Sequence, residues 1–260
     1  MLIIQPIGGL CNRMRAINSA KVLADKRGES LKVIWFVNPE LGCPFEELFD
    51  SPKDFTVMNI YSKWNLKKMF YQLTRKKLGN EDMRNTRVDG NLPDDYVQNL
   101  PKNLYIATEE HFFVSHDYSN FVPTKEIADK IDQICDQFSK HNIGVHIRRT
   151  DNKPAIGKSS TDAFMTSMQK ELDKDPDTMF YLATDDMHEE ENLRKQFPGK
   201  IISNETRELA RDSVNGVKDA LVDLSCLSRT DKIIGSYFSS FTDIAADLRG
   251  IEKVVAGEDA

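Results

Sequence analysis

Strand-like and helix-like segments alternate along most of the 260 residues, which predicts an α/β fold with parallel sheets covered by helices. Three stretches carry that prediction. Residues 143–147 form a short apolar, largely β-branched run, suited to an interior strand of a parallel sheet and too short for a useful helix. Residues 2–6, a glycine pair and a helix-patterned segment give a strand-turn-helix opening. Residues 179–183 are apolar and end in Thr184-Asp185-Asp186, ahead of another helix-patterned segment. The length admits two compact lobes, and the domain division is expected at 1–140 and 141–260.

In order, residues 2–6 read as a strand, 8–13 as a turn and 14–27 as an amphipathic helix stopped by Gly28. Residues 31–37 and 57–61 read as strands, with a loop and a short helical turn over 38–49. Residues 63–77 set Leu66, Met69, Phe70 and Leu73 among Lys67, Lys68, Arg75, Lys76 and Lys77. Such a helix could rest on a membrane surface or an acidic partner, but the preferred reading is an apolar stripe packed on a sheet with a solvated basic face. Residues 79–101 are polar and turn-rich and read as an excursion or lid. Residues 104–107 are a strand, 118–123 a crossing segment between lobes, and 125–140 a helix with Ile127, Ile131, Ile134 and Phe138 on one face. After the central strand come helices over 160–174, 187–197, 214–227 and 239–248, and strands at 179–183, 201–202 and 232–235.

The composition is that of an ordinary globular chain, 40% hydrophobic and 29% charged. A formal net charge of −6 argues against general nucleic-acid affinity, so any basic site is local. No run is long enough to span a bilayer, and the first residues show neither a basic leader nor a long apolar core, so a cytoplasmic location is expected. Cys11, Cys43, Cys135 and Cys226 have no zinc spacing and are expected to be reduced thiols.

Chemistry concentrates at the predicted strand ends. Arg148 and Arg149 would present guanidinium groups at the carboxyl edge of a sheet, where α/β proteins bind ligands, and Asp151 could orient one of them. His146, two residues before Arg148, faces the same side of the strand. An anion site, most naturally for phosphate, is favoured over a structural ion pair. Gly8 and Gly9, with Asn12 and Arg13, could admit a ligand to a helix N-terminus or could form a tight turn only. Asp185 and Asp186 could hold a metal, bind a sugar or cap the next helix. The segment Phe238-Ser239-Ser240-Phe241-Thr242 offers hydroxyls at a helix start, either a phosphate cradle or an ordinary cap.

The ordered set of Gly8-Gly-Leu-Cys-Asn-Arg13, His146-Ile-Arg-Arg-Thr-Asp151, Tyr181-Leu-Ala-Thr-Asp-Asp186 and Phe238-Ser-Ser-Phe-Thr242 resembles the motifs of GDP-fucose-dependent fucosyltransferases, the α1,6-fucosyltransferases and protein O-fucosyltransferases. The resemblance covers the C-terminal half well and the N-terminal half through its first loop. It implies a GT-B-type glycosyltransferase of two Rossmann-like lobes. In that family the N-terminal lobe would face the acceptor and the C-terminal lobe would hold the nucleotide sugar. It implies inverting transfer of fucose from GDP-fucose to a glycan hydroxyl without a metal or further cofactor. Residue by residue, it implies that Arg148 neutralises the departing diphosphate, that His146, Ser239 and Ser240 help to bind the nucleotide, and that Asp223 reads the guanine edge. Asp151, Asp185 and Asp186 are candidates by type and position for the catalytic base. A transferase using another nucleotide sugar and a non-catalytic nucleotide-sugar binder remain the competing readings.

Overall fold

The computed structural model describes residues 1–150 and 157–258, and its ordered backbone separates into two compact units. Unit one comprises Met1–Thr124 and Ala210–Lys218; unit two comprises Lys125–Leu209 and Asp219–Ala260. The expected boundary at 140/141 therefore falls inside unit two, to which the helix over Lys125–Cys135 belongs.

Unit one is built on a five-stranded parallel sheet in the order β3-β2-β1-β5-β4. Its strands are β1 (Leu2–Pro6), β2 (Leu31–Phe36), β3 (Phe55–Ile60), β4 (Lys76–Leu78) and β5 (Leu104–Thr108). The central strands carry the expected continuous apolar runs, since both sheet faces are covered. Helix α1 (Leu10–Lys26) buries Leu10, Met14, Ile17 and Ala24, a stripe at helical spacing. It starts earlier than the sequence suggested. Gly9 is its N-cap, so Asn12 and Arg13 lie in the first turn and not in a loop.

The segment 63–77 departs furthest from expectation. Helix α2 covers only Leu66–Thr74, and Lys76–Leu78 form the edge strand β4. The helix docks through its polar side: Lys68 is buried with Nζ 5.5 Å from the Phe36 ring centroid, and Gln72 Nε2 donates to the Tyr105 hydroxyl at 3.4 Å. Tyr71 packs on the cluster of Ile3, Ile34, Ile60 and Tyr105. Leu66, Phe70 and Leu73 point outward. The stretch 79–101 holds two short helices, α3 (Asn80–Thr86) and α4 (Asp94–Asn99). Arg27 at the end of α1 ties this region down by donating to the carbonyls of Leu100 and Pro101.

The segment 210–218 completes unit one from far along the chain. The Gly42 N–H donates to the Arg211 carbonyl at 2.8 Å, and the Asp212 backbone occupies the place a side chain on residue 42 would take. Lys218 pairs with Glu47 at 2.9 Å. Residues 118–123 contain no helix or strand; Phe121 packs its ring against Phe45, Phe49 and Phe55.

Unit two repeats the parallel arrangement in the order β10-β9-β6-β7-β8. Its strands are β6 (Asn142–Ile147), β7 (Met179–Thr184), β8 (Ile201–Ile202), β9 (Lys232–Gly235) and β10 (Glu252–Val255). Helices α5 (Lys125–Cys135), α6 (Thr161–Lys174), α7 (Met187–Gln196), α8 (Val214–Ser228) and α9 (Ser240–Asp247) alternate with them, α8 beginning within the 210–218 segment. Every residue of β6 is buried, and Ile143, Val145 and Ile147 join Phe164, Met168, Phe180, Leu182 and Ile234 in one core cluster. Burying each such side chain stabilises the fold by roughly 1.5–3 kcal/mol. The chain enters this sheet at its centre, runs outward through β7 and β8, then returns to place β9 on the other side of β6. The strand order therefore reverses between β6 and β9, the point beyond whose carboxyl ends open parallel sheets bind ligands.

Candidate functional site

The register of unit two brings several of the predicted residues to that reversal point. His146 pairs across the ladder with Gly235, and Ile147 with Thr184, so the β6, β7 and β9 termini align. Arg148, Asp185 and the serine segment thus share one sheet edge.

His146 is 6% exposed and firmly placed. Its Nδ1 lies 2.8 Å from Thr242 Oγ1 and 3.5 Å from Ser239 Oγ, and its ring stacks on Phe241 with centroids 4.7 Å apart. Burial and the positive charge of Arg148 push its pKa down to about 3, so the imidazole is neutral near pH 7 and can donate from one ring nitrogen while accepting at the other. Gly235 makes this arrangement: a Cβ there would occupy the place of the Thr242 side chain, so only glycine lets α9 approach β9 closely enough for Thr242 to reach His146.

The two arginines have different surroundings. The backbone N–H of Arg148 donates to Ser236 Oγ at 3.0 Å, and Ser236 Oγ in turn lies 3.2 Å from the His146 carbonyl. Arg149 is held by its own guanidinium: Nη2 pairs with Glu189 at 3.0 Å, Nη1 donates to the Ser159 carbonyl at 3.0 Å, and the group lies 5.6 Å above the Phe164 ring. Arg149 is thus a brace between β6, α6 and α7, with its guanidinium engaged by protein groups and not presented to the sheet edge. Replacing it with alanine leaves Glu189 nine-tenths buried without its cation, and the expected result is a fall in thermal midpoint of several degrees, with turnover reduced less than by loss of Arg148. Unchanged stability in a melting experiment would count against the bracing role.

The acidic pair is engaged with backbone. Asp185 Oδ1 accepts the Arg149 N–H at 2.7 Å, and Oδ2 accepts the Thr150 hydroxyl at 2.6 Å. Asp186 is the N-cap of α7, accepting from the His188 N–H at 2.8 Å. Capping accounts for Asp186 alone, whereas Asp185 holds the chain leaving β6 through Arg149 and Thr150. Asp151 lies outside the described residues.

Ser239 is the N-cap of α9 and Ser240 its first residue, with no side-chain cap bond from Ser239. The preceding Phe238 is 82% exposed and has φ +51°, a left-handed conformation unfavourable for a bulky residue. The turn therefore strains its backbone where the serine pair is presented.

Asp223, on α8, is buried, and its Oδ1 accepts the Tyr181 hydroxyl at 2.6 Å. Burial raises its pKa to about 7, with the Tyr181 hydrogen bond acting the other way. Arg13, in unit one, spends its guanidinium on the protein itself. It is fully buried, with Nε donating to the Gly8 carbonyl at 2.8 Å, Nη1 to the Phe36 carbonyl at 2.6 Å and Nη2 to Asn38 Oδ1 at 3.0 Å. Desolvation lowers its pKa to about 10, and its function is to lock the glycine turn to the end of β2. Gly9 and Asn12 remain partly open beside it.

Sequence reading missed Ser236 and the contact of Tyr181 with Asp223. A serine directly after a β-strand at a sheet reversal was the available signal for the first; for the second, only the three-dimensional proximity of β7 and α8 reveals the contact.

No protein family model matches the chain, and no curated protein matches its sequence. Solved structures do match. Fucosyltransferase NodZ from Bradyrhizobium aligns at 18% identity and TM-score 0.64, covering 94% of this chain and 92% of that one. POFUT1 in complex with GDP-fucose aligns at 13% identity and TM-score 0.64, covering 98% of both. The chain has the fold of these fucosyltransferases. A mutant of Arabidopsis thaliana FUT1 in complex with GDP extends the likeness, at 17% identity and TM-score 0.63 over 98% of this chain and 69% of that one. Within this fucosyltransferase fold, the His146, Arg148 and Ser239-Ser240 cluster occupies the β6–β9 edge described above.

Proposed function

We infer that the chain is an inverting, metal-independent glycosyltransferase moving fucose from GDP-fucose to a glycan hydroxyl. Its two units act as the Rossmann-like lobes of a GT-B-type enzyme in glycan biosynthesis, unit two binding the nucleotide sugar and unit one facing the acceptor. The observation that carries this reading is the placement of Arg148 beside a neutral, buried His146 and the Ser239-Ser240 helix start, at the reversal point of a parallel sheet. Supporting it, POFUT1 of the same fold binds GDP-fucose and the FUT1 mutant binds GDP.

The chemistry follows from the charges. As the bond from the sugar to phosphate breaks, positive character grows on the ring and negative charge on the diphosphate. A fixed guanidinium and helix-terminal N–H groups bind that state better than the ground state. The acceptor oxygen attacks from the opposite face and inverts the configuration, and its proton passes to a base. Asp185 and Asp186 already accept hydrogen bonds from Arg149, Thr150 and the α7 N-terminus, which makes them poor candidates for that proton and for a cation.

Melting the protein with GDP, UDP, CDP and their sugars tests the reading. At a hundredfold excess over Kd, GDP and GDP-fucose should raise the midpoint by roughly 5 °C or more, and UDP should do much less. An equal response to UDP would point to another donor, and binding without release of GDP in the presence of glycan acceptors would point to a binding protein. Turnover should also survive EDTA. Loss that manganese restores would overturn the metal-independent mechanism.

A further inference from the structure

We propose that α2 and the residues flanking it form an interfacial patch that docks the protein on bilayers containing anionic phospholipid. The stripe of Leu66, Phe70 and Leu73 follows the i, i+4, i+7 spacing of one helix face, yet these residues are 81%, 59% and 82% exposed. Trp64 and Tyr61, just before the helix, are 71% and 67% exposed. An apolar face of this kind usually packs against a core; here the opposite face does so, through Lys68, Tyr71 and Gln72. The outward stripe is therefore not a helix waiting to fold against the sheet, since the sheet is already covered by the same helix. A contiguous exposed apolar surface of aliphatic and aromatic side chains marks an interaction site.

Charge identifies the partner. Residues 61–78 contain Lys63, Lys67, Lys68, Arg75, Lys76 and Lys77 and no aspartate or glutamate, in a chain whose net charge is −6. Among the described residues, Lys63, Lys67, Lys76 and Lys77 are exposed around the stripe. Amphipathic helices with aromatic and leucine residues on one side and lysines beside them lie in the headgroup region of anionic membranes, the apolar face entering and the ammonium groups meeting lipid phosphates. Tryptophan and tyrosine favour that same depth. A second copy of the chain fits poorly, because a two-fold contact through this patch would set its lysines against the same lysines. The inference is independent of the fucosyl-transfer reading, since it rests on the exposure and charge of residues 61–78 alone.

The two tryptophans make the test direct. Trp35 is fully buried, so a change in emission on adding vesicles reports Trp64. With the full chain, vesicles of phosphatidylcholine containing phosphatidylglycerol should shift the emission to the blue and carry the protein upward in flotation. Pure phosphatidylcholine should do neither to a comparable extent. Each of Lys63, Lys67, Lys76 and Lys77 changed to alanine should lower partitioning roughly fivefold, and added salt should act in the same direction. Leu66→Asp with Phe70→Asp should abolish flotation and leave the melting midpoint and its response to GDP unchanged, because both positions are exposed. Absence of binding to the anionic vesicles, or undiminished binding by that double variant, overturns the proposal. So does concentration-dependent dimerisation that the double variant removes, which would assign the patch to a second copy.

Discussion

Lysine in place of Arg148 is expected to lower kcat by roughly one-hundredfold or more while donor affinity changes only a few fold, the pattern of a contact made in the transition state. That factor corresponds to about 2.7 kcal/mol of barrier. The charge is retained, so the loss comes from geometry: an ammonium is a point charge, whereas a planar guanidinium gives two parallel hydrogen bonds to phosphate oxygens. The backbone that aims residue 148 is fixed by Ser236 on one side and by the Arg149 brace on the other, so lysine cannot recover the fit by shifting the strand end. Single-turnover GDP release and GDP melting shifts on the same preparation separate chemistry from binding. Turnover near that of the unaltered protein would remove Arg148 from the mechanism.

Asp223→Asn is expected to weaken GDP binding at least as much as Asp223→Ala and to narrow the gap between GDP and UDP. Guanine offers N1–H and its exocyclic amine side by side, which one carboxylate can accept together; an amide presents a donor to one of them. The structure sharpens the comparison. Alanine leaves the buried Tyr181 hydroxyl without its acceptor, a cost of roughly 1–3 kcal/mol to the fold, whereas asparagine keeps an oxygen for it. Reduced GDP affinity in the asparagine variant, with an intact melting midpoint, therefore reports recognition and not damage. Calorimetry showing unchanged GDP affinity in Asp223→Ala would move the guanine reader elsewhere, Asp219 first.

The same carboxyl gives a pH dependence with a definite sign. Its folded pKa of about 7 lies above the ordinary 3.8, so the folded chain holds a proton there that the unfolded chain has lost. This group's stabilising contribution is present below 3.8 and disappears as the pH rises through 7. His146 acts oppositely: with its pKa lowered from 6.5 to about 3, the unfolded chain binds the extra proton, and stability falls as the pH drops below 6.5. Asparagine at 223 should remove the first slope and retain the second. Guanine binding that requires the ionised carboxylate should weaken below pH 7 in the unaltered protein and lose that dependence in the variant.

The interior strands were legible because burial on both faces demands continuous apolar runs, as in residues 143–147 and 179–183. The edges were not. Lys76–Leu78 and Glu252–Val255 are short strands with charged residues, the composition that protects a sheet margin and also disguises it. For α2, periodicity gave the apolar stripe correctly but carried no information about which side would dock, and an aromatic-polar face won the contact. In the candidate site, residues announced by type at strand ends were found together at the β6–β9 edge. The helix start beside Arg13 was placed late because two glycines mark a turn, although Gly9 caps α1 at once. The Gly235–Thr242 approach had no signature in sequence, since each residue is ordinary until the helix is laid against the strand.

The return of residues 210–218 to unit one imposes an order on biosynthesis. A nascent chain that has emerged only as far as Thr124 has all five strands of the first sheet but lacks the Arg211 carbonyl that Gly42 binds and the Lys218 ammonium that pairs with Glu47. At translation speeds of about 5–20 residues per second, the missing segment follows several seconds later, after most of unit two has appeared. The N-terminal sheet must therefore stand incomplete through that interval, and a ribosome pausing between residues 124 and 210 prolongs it. A protein divided at its most obvious seam, between Thr124 and Lys125, would leave each fragment carrying half of that dependence.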